Sequence, residues 1–107
     1  MHKHLVVLVT VPSVETGQQI AQAILEQKLA ACVNIVPAVS SIFSWQGQVE
    51  QDQEALLIIK TRADLFEAKL APLVQQVHPY DVPEIIALPI VMGSKSYLDW
   101  IDETTAE

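Results

Sequence analysis

Cysteine, glycine and positive charge are all scarce in this chain, and each shortage removes a class of function. A single cysteine, Cys32, stands among 107 residues, so no disulfide can close within the chain and a reducing compartment is the default setting. Six basic residues face thirteen acidic ones, for a net charge of −7, and no cluster of Lys or Arg occurs anywhere. That pattern excludes the basic patch of a nucleic-acid binder and disfavours an anionic membrane surface. The three glycines form no phosphate-cradling loop, and neither a metalloprotease His pair nor a Ser-His-Asp signature is present. Catalysis is therefore not expected. The apolar run from Leu5 to Val9 is interrupted by Thr10 and Pro12, too short to cross a bilayer, and no small-residue cleavage site follows it. The expected location is the cytoplasm.

What is present is enough apolar material for one domain over residues 1–107, at 50% hydrophobic composition. Leu5 to Val11 is β-branched and apolar almost throughout, the mark of a central strand, and Pro12 closes it. Ser13 can cap a helix whose stripe is Ile20, Ala21, Ile24 and Leu25, with Lys28 at its end. A second strand begins at Cys32. Pro37 within it implies a bulge or an edge, and Val39, Ser41, Phe43 and Trp45 share a face beyond. Gln46-Gly47 is a turn, and Val49 to Lys60 is the return strand. Arms of about 12 to 15 residues far exceed the usual strand of about 5–6, so the hairpin must protrude. Thr61 and Asp64 fit a capping box that opens a second helix, with Phe66, Leu70, Leu73, Val74 and Val77 as its buried stripe and Pro72 as an internal disruption. Glu84 to Val91 is a fourth strand, and Gly93-Ser94 starts a short closing helix carrying Tyr97, Leu98, Trp100 and Ile101.

The order β-α-β-β-α-β plus a terminal helix is the ferredoxin-like plan of the α+β class, with both helices on one face of the sheet. Yet LVVLVTV, ALLII and EIIALPIV are apolar on both faces. A bare face of that size exceeds what monomers usually expose, so several copies are expected to meet through their open faces.

LAACVNI (Leu29 to Ile35), SIFSWQGQVEQDQEALLIIKT (Ser41 to Thr61), HPYDVPEIIALPI (His78 to Ile90) and YLDW (Tyr97 to Trp100) occur in an order that resembles the CutA family, named for divalent-cation tolerance, over nearly the whole length. The resemblance implies a tight homotrimer of ferredoxin-like subunits whose long hairpins extend one another's sheets, and a link to copper and other divalent cations without an established reaction. It also implies metal ligands at two places: a Cys late in the first strand and paired His before the Pro-Tyr turn. Here those positions read Val9 and Val77-His78, so only His78 remains.

The expected metal ligands are His78 and Cys32, for Cu(2+) or another divalent cation that folding does not require. His78 also suits a cap at a helix C-terminus, and Cys32 follows two alanines as a small hydrophobe would. The Met1 amine with His2 and His4 offers the square nitrogen set that copper(II) favours. Glu50, Asp52 and Glu54 share one face of a strand, and Lys60 continues their parity. Trp45, Lys60, Tyr80 and Glu84 are expected to meet where the rigid PYDVPE turn reaches a neighbour's hairpin, in a small-molecule cleft. The function expected is copper or divalent-cation tolerance through metal binding by a homotrimer. The alternatives are a regulatory trimer that binds a small polar or anionic effector between subunits, and a non-catalytic scaffold for partner proteins.

Overall fold

The computed structural model describes residues 2–107. The elements run β1 (His4–Val11), α1 (Val14–Glu26), β2 (Cys32–Trp45), β3 (Gln48–Arg62), α2 (Ala63–Leu65), a π-helical segment (Phe66–Leu70), α3 (Ala71–Val77), β4 (Ile85–Pro89) and α4 (Lys95–Thr104). One antiparallel sheet has the order β2-β3-β1-β4, the split βαβ arrangement that the alternation of elements predicts. Both prolines that puzzle the strand pattern fall on edge strands: Pro89 ends β4, and Pro37 sits where the β2–β3 register shifts between Val36 and Val39. An edge strand can spare an N–H, and a bulge accommodates the residue that cannot donate.

Period two decides the core. Val7, Val9 and Val11 of β1 and Ala55, Leu57 and Ile59 of β3 are fully buried and pair with one another in register. They pack with Ile20 and Ile24 of α1, Leu70 of the π segment and Val74 of α3. The alternate positions Val6, Leu8, Leu56 and Ile58 point to the other face, continued on β4 by Ile86 and Leu88, each 50% exposed. Among the described residues the helices of the core lie on the opposite face, and α4 meets this one only at its His4 end, through Asp102.

Local chemistry sets the helix boundaries. Ser13 Oγ accepts the Thr16 N–H at 3.1 Å, capping α1. At its other end Lys28 takes the left-handed conformation (φ 57°), while Leu29 N–H reaches Ile24 O and Lys28 N–H reaches Leu25 O. That is a Schellman closure with lysine in the place glycine usually takes, so Lys28 ends the helix rather than lengthening its stripe. The capping box expected at Thr61 and Asp64 does not form. Thr61 Oγ1 donates instead to Leu29 O at 2.6 Å, and the residue at the cap is Arg62, whose side chain makes no capping bond. Thr61 still belongs to the β3 ladder, where its side chain is committed to the core.

The proline inside the second helix is absorbed by the π segment. Ala71 N–H donates to Phe66 O, five residues back, so the chain is already widened where Pro72 lacks its donor and its ring needs room. The extra residue also rotates the stripe: Leu70 and Val74 are fully buried, whereas Val77 is largely exposed. In α4 only Ile101 is buried, and Tyr97 and Trp100 pack on each other with centroids 5.5 Å apart.

A second constraint ties the start of β1 to α4. Asp102 receives Lys3 Nζ at 3.1 Å and His4 Nε2 at 2.9 Å. Burial alone pushes the Asp102 carboxyl up, but hydrogen bonds and charge from His4 and Lys3 outweigh it and hold the group below the usual carboxylate range. A carboxyl with a depressed folded-state pKa contributes stability above its unfolded pKa of about 4 and loses it as pH falls through the folded value. Asp102→Asn is therefore expected to unfold at lower temperature near pH 7, with a flatter decline than wild type below about pH 4. A melting series across pH checks both.

Candidate functional site

The hairpin of β2 and β3 makes the molecule 44 Å long against 26 × 24 Å across. Strands of 14 and 15 residues at about 3.3 Å per residue account for that long axis. The turn at its tip places Gln46 (φ 51°) and Gly47 (φ 79°) both in the left-handed region, the twist that two-residue hairpins favour. On the face shared with the uncovered side of the sheet, register pairs Val39 with Glu54, Ser41 with Asp52, Phe43 with Glu50 and Trp45 with Gln48. One strand thus offers aromatic and small polar side chains, and the other offers a row of acids.

The opposite wall comes from the segment after α3. His78 precedes Pro79, which forces an extended backbone (φ −78°, ψ 136°) and ends the helix there. The imidazole then turns inward, only 7% exposed, with Nε2 on Thr10 O at 2.8 Å and Nδ1 accepting the Tyr80 N–H at 3.1 Å. A carbonyl can only accept and an amide N–H can only donate, so this pair of partners fixes the neutral tautomer with its proton on Nε2. His78 also packs against the Tyr80 ring, with centroids 4.7 Å apart. Tyr80, held at ring and backbone, donates its hydroxyl to Glu54 Oε2 at 2.8 Å. The Tyr80 phenol is pushed up to about 12 by burial first, then by the Glu54 hydrogen bond and the charges of Glu54 and Asp52.

Between these walls lies a cavity of about 690 Å³. It brings together Trp45, Tyr80 and Glu84 with Phe43, Glu50, Asp52, Glu54 and Asp81. The turn thus meets the hairpin of its own chain. Lys60 lies elsewhere, opposite Cys32 on β2 and Val6 on β1, with its Nζ on Asn34 Oδ1. Six residues of strand, about 20 Å, separate it from Glu54. Glu54 itself, 8% exposed, and the Thr10 carbonyl were not legible as cleft anchors, because neither neighbours the turn in sequence. Tyr80→Phe removes the one donor that the Glu54 carboxylate has among the described residues, and the expected cost is about 1–3 kcal/mol of stability, read as a lower denaturation midpoint.

Cys32 and His78 do not form a common ligand set within the chain. Cys32 aligns through Lys60 with Val6, and His78 binds the backbone of Thr10, about 13 Å further along β1. Both ring nitrogens of His78 are engaged, and the His4 Nε2 is taken by Asp102. Among the described residues no three His, Cys, Asp or Glu converge where they could hold a metal ion. The Met1 amine proposed alongside His2 and His4 lies outside the described residues. No helix among them is long and apolar enough to cross a membrane.

The sequence from residue 5 to 104 matches the family profile described as CutA1 divalent ion tolerance protein. The divalent-cation tolerance protein CutA of Thermus thermophilus is 56% identical over 100 residues, covering 94% of this chain and 96% of that one. The chloroplastic CutA of Arabidopsis thaliana is 53% identical over 104 residues, 94% of this chain, which spans about half (55%) of the plant protein's length. Among solved structures, CutA1 from Oryza sativa superposes with a TM-score of 0.94 at 51% identity, covering 99% of this chain and 96% of its own. The divalent cation tolerance protein from Thermus thermophilus gives 0.93 at 54% identity, covering 96% and 99%. The fold, the long hairpin and the turn after α3 are thus parts of a shared plan, and the chain belongs to the CutA1 divalent ion tolerance family.

Proposed function

We propose that this protein supports divalent-cation tolerance, copper included, as a cytoplasmic, non-catalytic homotrimer that binds a small ligand in the cleft between its hairpin and residues 78–84. The observation that carries this reading is the cavity of about 690 Å³ that gathers Trp45 of the hairpin tip with Tyr80 and Glu84 of the turn after α3, two separated parts of the sequence. Its size falls in the range of small-molecule sites, and its walls combine aromatic surface with a few aimed polar groups. The uncovered sheet face and the exposed Val49 on the other side of the hairpin support assembly, since isolated chains rarely leave such surface in water. Five carboxylates and no Lys or Arg line the cleft, which argues against an anionic effector. Ligation of copper by His78 has no comparable support, because Nδ1 would first have to give up the Tyr80 N–H, and Nε2 its proton and its bond to Thr10 O.

Complementation separates these readings. In cells that lack the protein and grow poorly at raised copper, wild type should restore growth, Trp45→Ala and Glu84→Gln should not, and Cys32→Ser should restore it fully. The reverse pattern, loss with Cys32→Ser and retention with both cleft variants, would overturn the cleft reading in favour of a metal centre.

A further inference from the structure

We propose that the cleft binds a linear organic polycation, an alkyl amine carrying two or more ammonium groups. This rests on the reading of the cleft as the ligand site and names the class of ligand.

Glu54 is the starting point. It is 8% exposed and lines the cavity, yet its only hydrogen bond among the described residues is the Tyr80 hydroxyl on Oε2. No Lys, Arg or His approaches it: the ion pairs among the described residues are Lys3–Asp102, His4–Asp102, Arg62–Asp64, Lys69–Glu107 and Lys95–Asp99. A carboxylate withdrawn from water without a cation is costly, and a phenol alone does not neutralise it. Glu54 Oε1 has no hydrogen-bond partner among the described residues and still has accessible surface, so a cation that pairs with it can enter from the cavity.

The shape of the acidic row selects what kind of cation. Glu50, Asp52 and Glu54 alternate along one face of β3, so their Cα positions step by about 7 Å and the row spans about 13 Å. A divalent metal needs oxygens within about 2.6 Å of a single point, and no three described ligating residues offer that. A chain of ammonium groups separated by short alkyl spacers meets such a row charge by charge. The alkyl spacers need apolar cover, and it lies alongside: Phe43 is the register partner of Glu50, and Trp45 stands next to it at the tip. Ammonium groups over those ring faces also gain cation–π attraction. Asp81 and Glu84 close the opposite wall with the same sign of charge.

The test is calorimetric titration of spermidine and putrescine into the purified wild-type assembly at about 0.15 M salt, where diffuse attraction to an acidic protein is screened. Saturable binding at one site per chain is expected, with spermidine tighter than putrescine. Glu54→Gln keeps an acceptor for Tyr80 and should weaken binding about tenfold, as should Trp45→Ala at the exposed tip. Binding that never saturates, or that ignores both substitutions, overturns the proposal. Tighter binding of Mg(2+) with the same dependence on Glu54 overturns it in favour of a metal site. Spermidine binding that is absent in wild type and appears with Lys60→Ala overturns it too, because the cleft is then already filled by a neighbouring copy's lysine. Absence of spermidine binding while Trp45→Ala still fails to restore copper tolerance removes the polyamine but leaves the cleft. Full tolerance with Trp45→Ala and Glu84→Gln removes both.

Discussion

Leu57→Ala should destabilise the protein by about 4 kcal/mol. Leu57 is fully buried at the centre of β3, opposite Val9 on β1 and Ile35 on β2. From above it is closed by α1 at Gly17, where an added Cβ would stand only 3.0 Å from Leu57 Cδ2 and 3.3 Å from Val11 Cγ2. Truncation therefore opens a hole between a sheet fixed by two ladders and a helix with no slack in its approach. Leu→Ala costs run from about 2 to 5 kcal/mol, and sites that cannot collapse lie toward the upper end. Guanidinium unfolding at a fixed chain concentration, with m unchanged, reads the loss as a shift in midpoint. A loss below about 1 kcal/mol would mean that the core relaxes around the hole and is not set by this contact.

Ile86→Glu should leave the single chain folded and abolish the proposed homotrimer. In one chain Ile86 is half exposed, so a glutamate there can reach water. It sits on the edge strand β4 opposite Leu8, which sits opposite Ile58, in the apolar row of the uncovered face. In a homotrimer closed through that face, the substitution buries one charge per subunit around a common axis. Each costs several kcal/mol without a partner, and the three repel one another. Sedimentation equilibrium should therefore fall from about three chain masses to the 11.8 kDa of one chain. A variant that remains at the wild-type mass would show that copies meet elsewhere.

The order of elements was legible because each signal was local. The all-apolar strands, the Ser13 cap and the Gln46-Gly47 turn need only neighbours within a few residues to act. What escaped depended on distant partners. Thr61 looks like a cap until Leu29 O claims its hydroxyl, and the π segment that relieves Pro72 has no signature in FEAKL itself. The candidate site divides the same way. Trp45, Tyr80 and Glu84 stood out as an aromatic tip and a rigid polar turn, and the cavity gathers them. Lys60 shares the parity of Glu54, but alternation along a strand gives the face and not the distance, so it lies near the other end of β3. The double engagement of His78 follows from Pro79 and from a carbonyl on β1, which no spacing in the sequence reveals.

The two edge prolines bear on more than the course of their strands. A long flat border of free amides and carbonyls is a template on which identical chains can stack without end, the route to fibres. Here Pro37 with its bulge interrupts the border on β2, and Pro89 terminates the one on β4. Any chain that docks along either border must begin and stop at defined residues, so growth by strand addition is punctuated. A protein with half its residues hydrophobic and such a long hairpin is thereby guarded against open-ended aggregation.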